Sequence, residues 1–108
     1  VSDWYCEEVL SGRAAIHVVA ETDGVLAFHH TDPSYDGAHI VVIPKLHVAS
    51  ILSDELAETL LLELLGVVRA VASDVLDKTG ACRIVTNLGD YQESKHLHWH
   101  VVSGERRT

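Results

Sequence analysis

The chain has 108 residues, 47% of them hydrophobic, enough for one domain with its own core and too few for two, so a single domain over residues 1–108 is expected. Sixteen acids against eight Lys and Arg leave a formal charge of −8, and eight histidines match the fixed cations one for one. A chain this acidic has no electrostatic footprint for a nucleic-acid backbone or an anionic membrane, so neither is expected as a partner, and a phosphate must be met by local donors.

Cys6 and Cys82 lie far apart in no disulfide-framework spacing, and no N-terminal stretch joins a basic region to an apolar run. A cytoplasmic location is the expectation. The chain starts without methionine, which suggests trimmed ends. The apolar region Leu56 to Leu76 is interrupted by Glu58, Glu63, Arg69 and Asp74 and does not read as a membrane span.

Residues 14–20 and 25–29 are β-prone runs joined by Glu21-Thr22-Asp23-Gly24, whose Asp-Gly favours a hairpin. His39 to Ile43 is too uniformly apolar for a half-solvated strand and is read as a central strand stopping at Pro44. Ser53 fits an N-cap, with Asp54 and Glu55 where the helix dipole favours negative charge. In the helix that should follow, Leu56, Leu60, Leu64, Val67, Val71 and Val75 recur at steps of three and four. Leu61, Leu65, Val68, Ala72 and Leu76 form a second row beside them. The resulting stripe is wide enough to cover a sheet and still leave area for a second subunit. Gly80, two residues after Lys78, supplies a C-terminal stop. Residues 82–86 and 95–102 read as two further strands around a polar loop. Short early loops leave no room for crossover helices, so the expected fold is α+β, an antiparallel sheet of about five strands with one long helix.

The last strand carries His96-Leu97-His98-Trp99-His100-Val101-Val102. Side chains alternate across a strand, so three imidazoles project from one face about 7 Å apart while Leu97, Trp99 and Val101 pack on the other. A solvated polar face would be served equally by Lys, Thr or Glu. Two chemical readings stay open on these residues alone. Alternate imidazoles can share a metal ion such as Zn²⁺. Alternatively, one imidazole attacks phosphorus while its neighbours donate to the phosphate oxygens.

Residues His96 to Val102 match at every position the His-φ-His-φ-His-φ-φ signature, φ being apolar, of the histidine triad (HIT) superfamily of nucleotide hydrolases and transferases. Residues 37–47, including Pro44-Lys45-Leu46-His47, resemble the family's Gly-His, apolar strand and Pro-Lys-x-His segment, with one extra residue before His39. The order of elements is also similar, so the resemblance covers nearly the whole chain.

The resemblance implies that His98 is the nucleophile forming a covalent nucleotidyl intermediate, that His100 and His39 contact the phosphate and tune His98, and that His96 supports the triad. It implies that Asn87 positions the α-phosphate and that Phe28 and His29 line a nucleoside pocket. Where many members have an acidic residue for the ribose hydroxyls, this chain has His30, a weaker clamp for a diol than a carboxylate. The family's Gly-Gln-Ser stretch appears as Tyr91-Gln92-Glu93, with Ser94 displaced by one position. Glu93 would repel phosphate when ionised and could donate to a departing group when protonated.

The family's chemistry requires no cofactor, but some branches hold a structural Zn²⁺ at positions corresponding to Asp3, Cys6, His47 and His96. That donor set suits zinc, while Cys6 packed as a small apolar residue is the alternative. The resemblance thus implies a homodimeric phosphoramidase or dinucleoside polyphosphate hydrolase acting on a small nucleotide-like phosphate. Its alternatives are a nucleotide-binding module of little turnover and the same fold repurposed for a non-standard substrate.

Overall fold

Alternating apolar residues give the sheet one face for the helix and another for the histidines. The computed structural model describes residues 3–108. Strands β1 (Val18–Glu21), β2 (Val25–His29), β3 (Ala38–Pro44), β4 (Arg83–Thr86) and β5 (Trp99–Ser103) form one antiparallel sheet in the order β1-β2-β3-β5-β4. Helix α1 (Glu58–Thr79) packs Leu64, Val67, Val68, Val71 and Val75 against Val25, Ala27, Ile40, Val42, Trp99 and Val101. Each fully buried Val or Leu contributes about 1.5–3 kcal/mol, so this layer is the main source of stability. The opposite face holds a smaller cluster, Leu26, Phe28, Val41 and Ile43, covered by Tyr5 and Val9 of a short helical turn, Tyr5–Val9. Among the described residues no helix is long and apolar enough to cross a membrane.

Several boundaries differ from those read in the sequence. Strand β1 begins at Val18, not at residue 14, and its register shifts between Val18 and Ala20. Ser53 does not cap the helix. It lies in two turns, in which the Ser53 N–H donates to the Ser50 carbonyl and the Leu56 N–H to the Ser53 carbonyl, and α1 starts at Glu58 behind Ala57. The helix dipole therefore meets Glu58 instead of Asp54 and Glu55. Pro44 ends β3 from within, as its last residue. Gly80 closes the helix as expected, with φ +85° and its N–H donating to the Leu76 carbonyl at 2.8 Å.

The largest difference concerns the last strand, which begins at Trp99 and not at Lys95. β3 and β4 offer no paired residue to His96 or His98; instead the Leu97 N–H reaches the Val48 carbonyl at 2.7 Å, and Thr86 Oγ1 donates to the His98 carbonyl at 2.8 Å. These bonds keep the alternation of faces while freeing the His96 carbonyl from the ladder.

After β5 the chain doubles back along residues 34–37. Asp36 N–H donates to Glu105 carbonyl (3.0 Å), Arg107 N–H to Ser34 carbonyl (2.7 Å), and Glu105 N–H to Asp36 Oδ1 (2.8 Å). Gly104 makes the reversal at φ +92°, where an added Cβ would collide with the Asp36 carboxylate and stand 2.6 Å from the Gly37 nitrogen. This C-terminal arm returns Arg106 to the sheet face that carries the histidines.

Candidate active site

Cross-strand pairing gathers the site. His39 on β3 lies opposite Val102, and His100 on β5 lies between Val41 on β3 and Val85 on β4. The imidazoles share the sheet face opposite α1 and open into a cleft with two lobes, both bordered by His30, Glu93, His98 and His100. One lobe is aromatic, walled by Trp4 and Tyr5 with Thr31 and Ser94. The other is polar, walled chiefly by Ser34, Tyr35, His39, Asn87, Tyr91 and Arg106. The Tyr5 ring lies 5.0 Å from that of His98 and 5.6 Å from that of His96, so the N-terminal turn directly supports the triad.

The hydrogen bonds determine which ring nitrogens carry protons. His98 Nδ1 donates to the His96 carbonyl at 2.7 Å, leaving Nε2 of the neutral ring with a free lone pair. Ser34 N–H donates to His39 Nδ1 at 2.9 Å, so His39 carries its proton on Nε2. That proton is donated to His100 Nδ1 at 2.8 Å, which places the His100 proton on Nε2. His30 accepts from the Asp32 N–H through Nδ1 at 2.9 Å, so its own proton is on Nε2; its ring lies against that of His39, centroids 4.4 Å apart. The junction of the lobes thus combines one nucleophilic lone pair with N–H donors.

Burial keeps these rings neutral. Loss of solvation, reinforced by neighbouring imidazoles, lowers His100 to about 3 and His39 to about 4. Burial also lowers His98, against the opposing pull of its bond to the His96 carbonyl, and lowers His30. At neutral pH the cleft therefore has lone pairs and dipoles at its centre, and the fixed charges on its walls belong to Glu93 and Arg106.

Beneath the aromatic lobe, the ligand atoms of Asp3, Cys6, His47 and His96 all lie within 4.8 Å of one another. Cys6 Sγ is 3.7 Å from His47 Nδ1 and 3.4 Å from His96 Nδ1, and Asp3 Oδ2 is 2.7 Å from His47 Nδ1 and 3.3 Å from His96 Nδ1. His96 Nε2 donates to the Pro44 carbonyl at 2.8 Å, so Nδ1 is the ring nitrogen that faces the Asp3 carboxylate. The contact is satisfied by positive charge at that point, either a proton on Nδ1 or a metal ion bound by both groups. Burial opposes ionisation of Asp3, yet the Cys6 N–H and thiol and the His96 ring hold its carboxyl below the ordinary range. Burial and Asp3 push the Cys6 thiol up, so a cation that displaced its proton would complete an N₂SO donor set. Most of these spacings suit the edges of a tetrahedron built on zinc bond lengths of about 2.0–2.3 Å, and the Pro44 carbonyl orients His96 as an outer partner does in metal sites.

Not every residue singled out in the sequence faces the cleft. Phe28 is 1% exposed and lies among the apolar side chains under Tyr5, supporting the wall from behind because its strand position points into that cluster. His29, at the end of β2, has an exposed side chain outside the walls of both lobes. Gln92 is buried, and its amide donates to the Ala49 carbonyl at 2.6 Å, which ties the loop before the triad to the loop after β3. Asn87, His30 and Glu93 do line the cleft. Trp4, Tyr5, Ser34, Tyr35 and Arg106 were not foreseen. For Trp4 and Tyr5 the signal was available, since they stand between Asp3 and Cys6, both assigned by the resemblance to the neighbourhood of His96.

Comparison with known proteins agrees with this architecture. The family model described as HIT domain matches residues 12–107. A 13.2 kDa HIT-like protein of Azospirillum brasilense is 38% identical over 104 residues, covering 91% of this chain and 83% of its own. Among solved structures, a HIT family hydrolase from Legionella pneumophila Philadelphia 1 is 28% identical with a TM-score of 0.79, the match covering 99% of this chain and 96% of that one. A hypothetical histidine triad nucleotide-binding protein from Sulfolobus tokodaii strain7 is 30% identical with a TM-score of 0.81, covering 93% and 67% respectively. The continuous match, with the imidazoles gathered on one sheet face, makes the chain a member of the HIT-domain family.

Proposed function

We propose that the protein is a hydrolase that cleaves a nucleotide-type phosphoramidate or phosphoanhydride through a covalent nucleotidyl intermediate on His98. The observation that carries this reading is the His98 Nδ1 bond to the His96 carbonyl, which leaves Nε2 unprotonated at the junction of the lobes. Nε2 attacks phosphorus, a P–N bond forms, and the bond to the leaving nitrogen or oxygen breaks with its electron pair. The leaving atom takes a proton from solvent in the open cleft. Water then attacks the same phosphorus and loses a proton to solvent, the P–N bond breaks with its electron pair returning to Nε2, and the nucleotide leaves with the His98 lone pair restored. His100 Nε2–H donates to a non-bridging oxygen as charge builds there. The Trp4–Tyr5 lobe suits a base, because flat aromatic surfaces stack on any nucleobase. The names of the Legionella and Sulfolobus relatives, a hydrolase and a nucleotide-binding protein, support the same reading.

Intact-mass spectrometry after rapid mixing with adenosine phosphoramidate tests it. A mass increase equal to one nucleotidyl group is expected, and none in His98→Ala. Tight AMP binding without turnover or adduct would instead favour a nucleotide-binding module, the reading suggested by a carboxylate, Glu93, beside the phosphate position.

The reading includes a structural Zn²⁺ on Asp3, Cys6, His47 and His96, whose role is to fix the His96 ring and the N-terminal turn. Elemental analysis should find one zinc per chain, and Cys6→Ser should weaken zinc retention at least about tenfold; a metal-free protein purified under zinc-replete conditions would contradict it. It also includes a homodimer: β4 is an edge strand, and Ile84 on it and Leu76 on α1 are each 50% exposed. Gel filtration should give twice the chain mass, and elution at the mass of one chain would remove the dimer.

A further inference from the structure

We propose that Arg106 is the specificity-determining residue for the leaving group, and that the displaced group carries an anion, a carboxylate or a phosphate, at the end remote from phosphorus. This rests on the proposed nucleotidyl transfer, with the base in the aromatic lobe and phosphorus over His98. The leaving group then enters the polar lobe. Arg106 belongs to that lobe alone, whereas Glu93 borders the junction. The atom next to phosphorus therefore meets an anionic wall, and the far end of the group meets a guanidinium. That guanidinium has no ion-pair partner among the described residues. Its backbone is held in place: Arg106 forms an antiparallel bridge with Tyr35, flanked by the Glu105 and Arg107 hydrogen bonds to Asp36 and Ser34. Paired residues in such a bridge project to the same side, and Tyr35 and Arg106 both line the polar lobe. A planar, permanently charged fork suits carboxylate and phosphate alike. On a chain of net charge −8, a single unpaired cation in the cleft has a large effect on which anions enter.

The test compares AMP joined through nitrogen to glycine with AMP joined to glycinamide, a near-isosteric pair differing in the terminal charge, and adds ATP as the phosphate arm. Arg106→Gln should lower kcat/KM about tenfold for glycine–AMP or ATP, mainly through KM, and less than about twofold for the glycinamide; Arg106→Lys should restore part of the loss. Loss on glycine–AMP alone assigns a carboxylate, loss on ATP alone a phosphate, and loss on both a general anion site. Equal loss on the glycinamide, or no loss on either anion, overturns the assignment. If the wild-type protein turns over none of the three, it is the nucleotidyl-transfer reading that fails. Binding of glycine–AMP, glycinamide–AMP and ATP, followed by tryptophan fluorescence, then decides: Arg106→Gln must weaken an anionic ligand selectively, and an unchanged ranking overturns the proposal.

Discussion

His98→Ala should lower kcat by about 10⁴-fold or more on any nucleotide-type substrate, and the loss should appear equally in kcat/KM. In the proposed mechanism, removing the imidazole deletes the nucleophile, whereas the phosphate donors assigned to His100 and His30 and the aromatic lobe remain. Substrate affinity should therefore change little while chemistry stops. His98 packs against Tyr5, so the variant's fold must be checked separately. Circular dichroism and AMP binding close to wild type would show that the loss is chemical. Retention of more than a tenth of wild-type turnover in a folded variant would dismiss the covalent mechanism. His100→Gln should have a smaller effect, about 10²–10³-fold, because it removes one charge-stabilising donor and leaves the nucleophile in place.

Stability should fall steeply on mild acidification. In the unfolded chain His39 and His100 take up protons below about pH 6.5, whereas burial in the folded protein holds them to about 4 and about 3. The unfolded state binds more protons throughout that interval, so stability is full above about pH 6.5 and is lost as pH falls through it. The loss continues to about pH 4 for His39 and about pH 3 for His100, then levels off for each group. With allowance for the partial exposure of His100, about 2–4 kcal/mol should be lost by pH 4.5. Urea denaturation between pH 7.5 and 4.5 measures it, and a His39→Gln/His100→Gln variant should show a flatter profile over the same range. A wild-type profile that is flat down to pH 5 would contradict the neutral, buried assignment of these rings.

Much of the architecture was legible because it follows from periodicity. The steps of three and four from Leu60 to Val75 predict a helix and its buried side, and Leu64, Val67, Val68, Val71 and Val75 are buried in the core. The two rows also run past what the sheet covers, leaving Leu65 and Leu76 partly exposed. The alternation from His96 to Val102 predicts which side chains face the helix, and Leu97, Trp99 and Val101 do. Ser53 misled because a capping residue type is also a turn residue type, and hydrogen bonds with Ser50 and Leu56 decided between them. Phe28 and Gln92 misled because a side chain on the right face or loop can still be covered by another segment, Phe28 by Tyr5 and Gln92 through its bond to the Ala49 carbonyl, which no local pattern records.

Apolar periodicity and turn residues were therefore enough to determine the α+β architecture and the face that carries the imidazoles, and the motif resemblance of residues 96–102 and 37–47 pointed to the family. The parity of eight histidines with eight fixed cations had pointed to local donors in an acidic chain. Only the tertiary structure decided which ring nitrogens carry protons: Asp32, Ser34 and His96 backbone groups lie close in sequence to His30, His39 and His98, but the fold aims them at one ring nitrogen and not the other, and the His39–His100 and His96–Pro44 bonds join distant segments. It also decided that Trp4, Tyr5 and Arg106, at opposite ends of the chain, wall the same cleft. Local periodicity is written in neighbouring residues, but a proton's position depends on how the folded backbone aims its groups, and a pocket's walls are set by contacts between segments that the sequence keeps far apart.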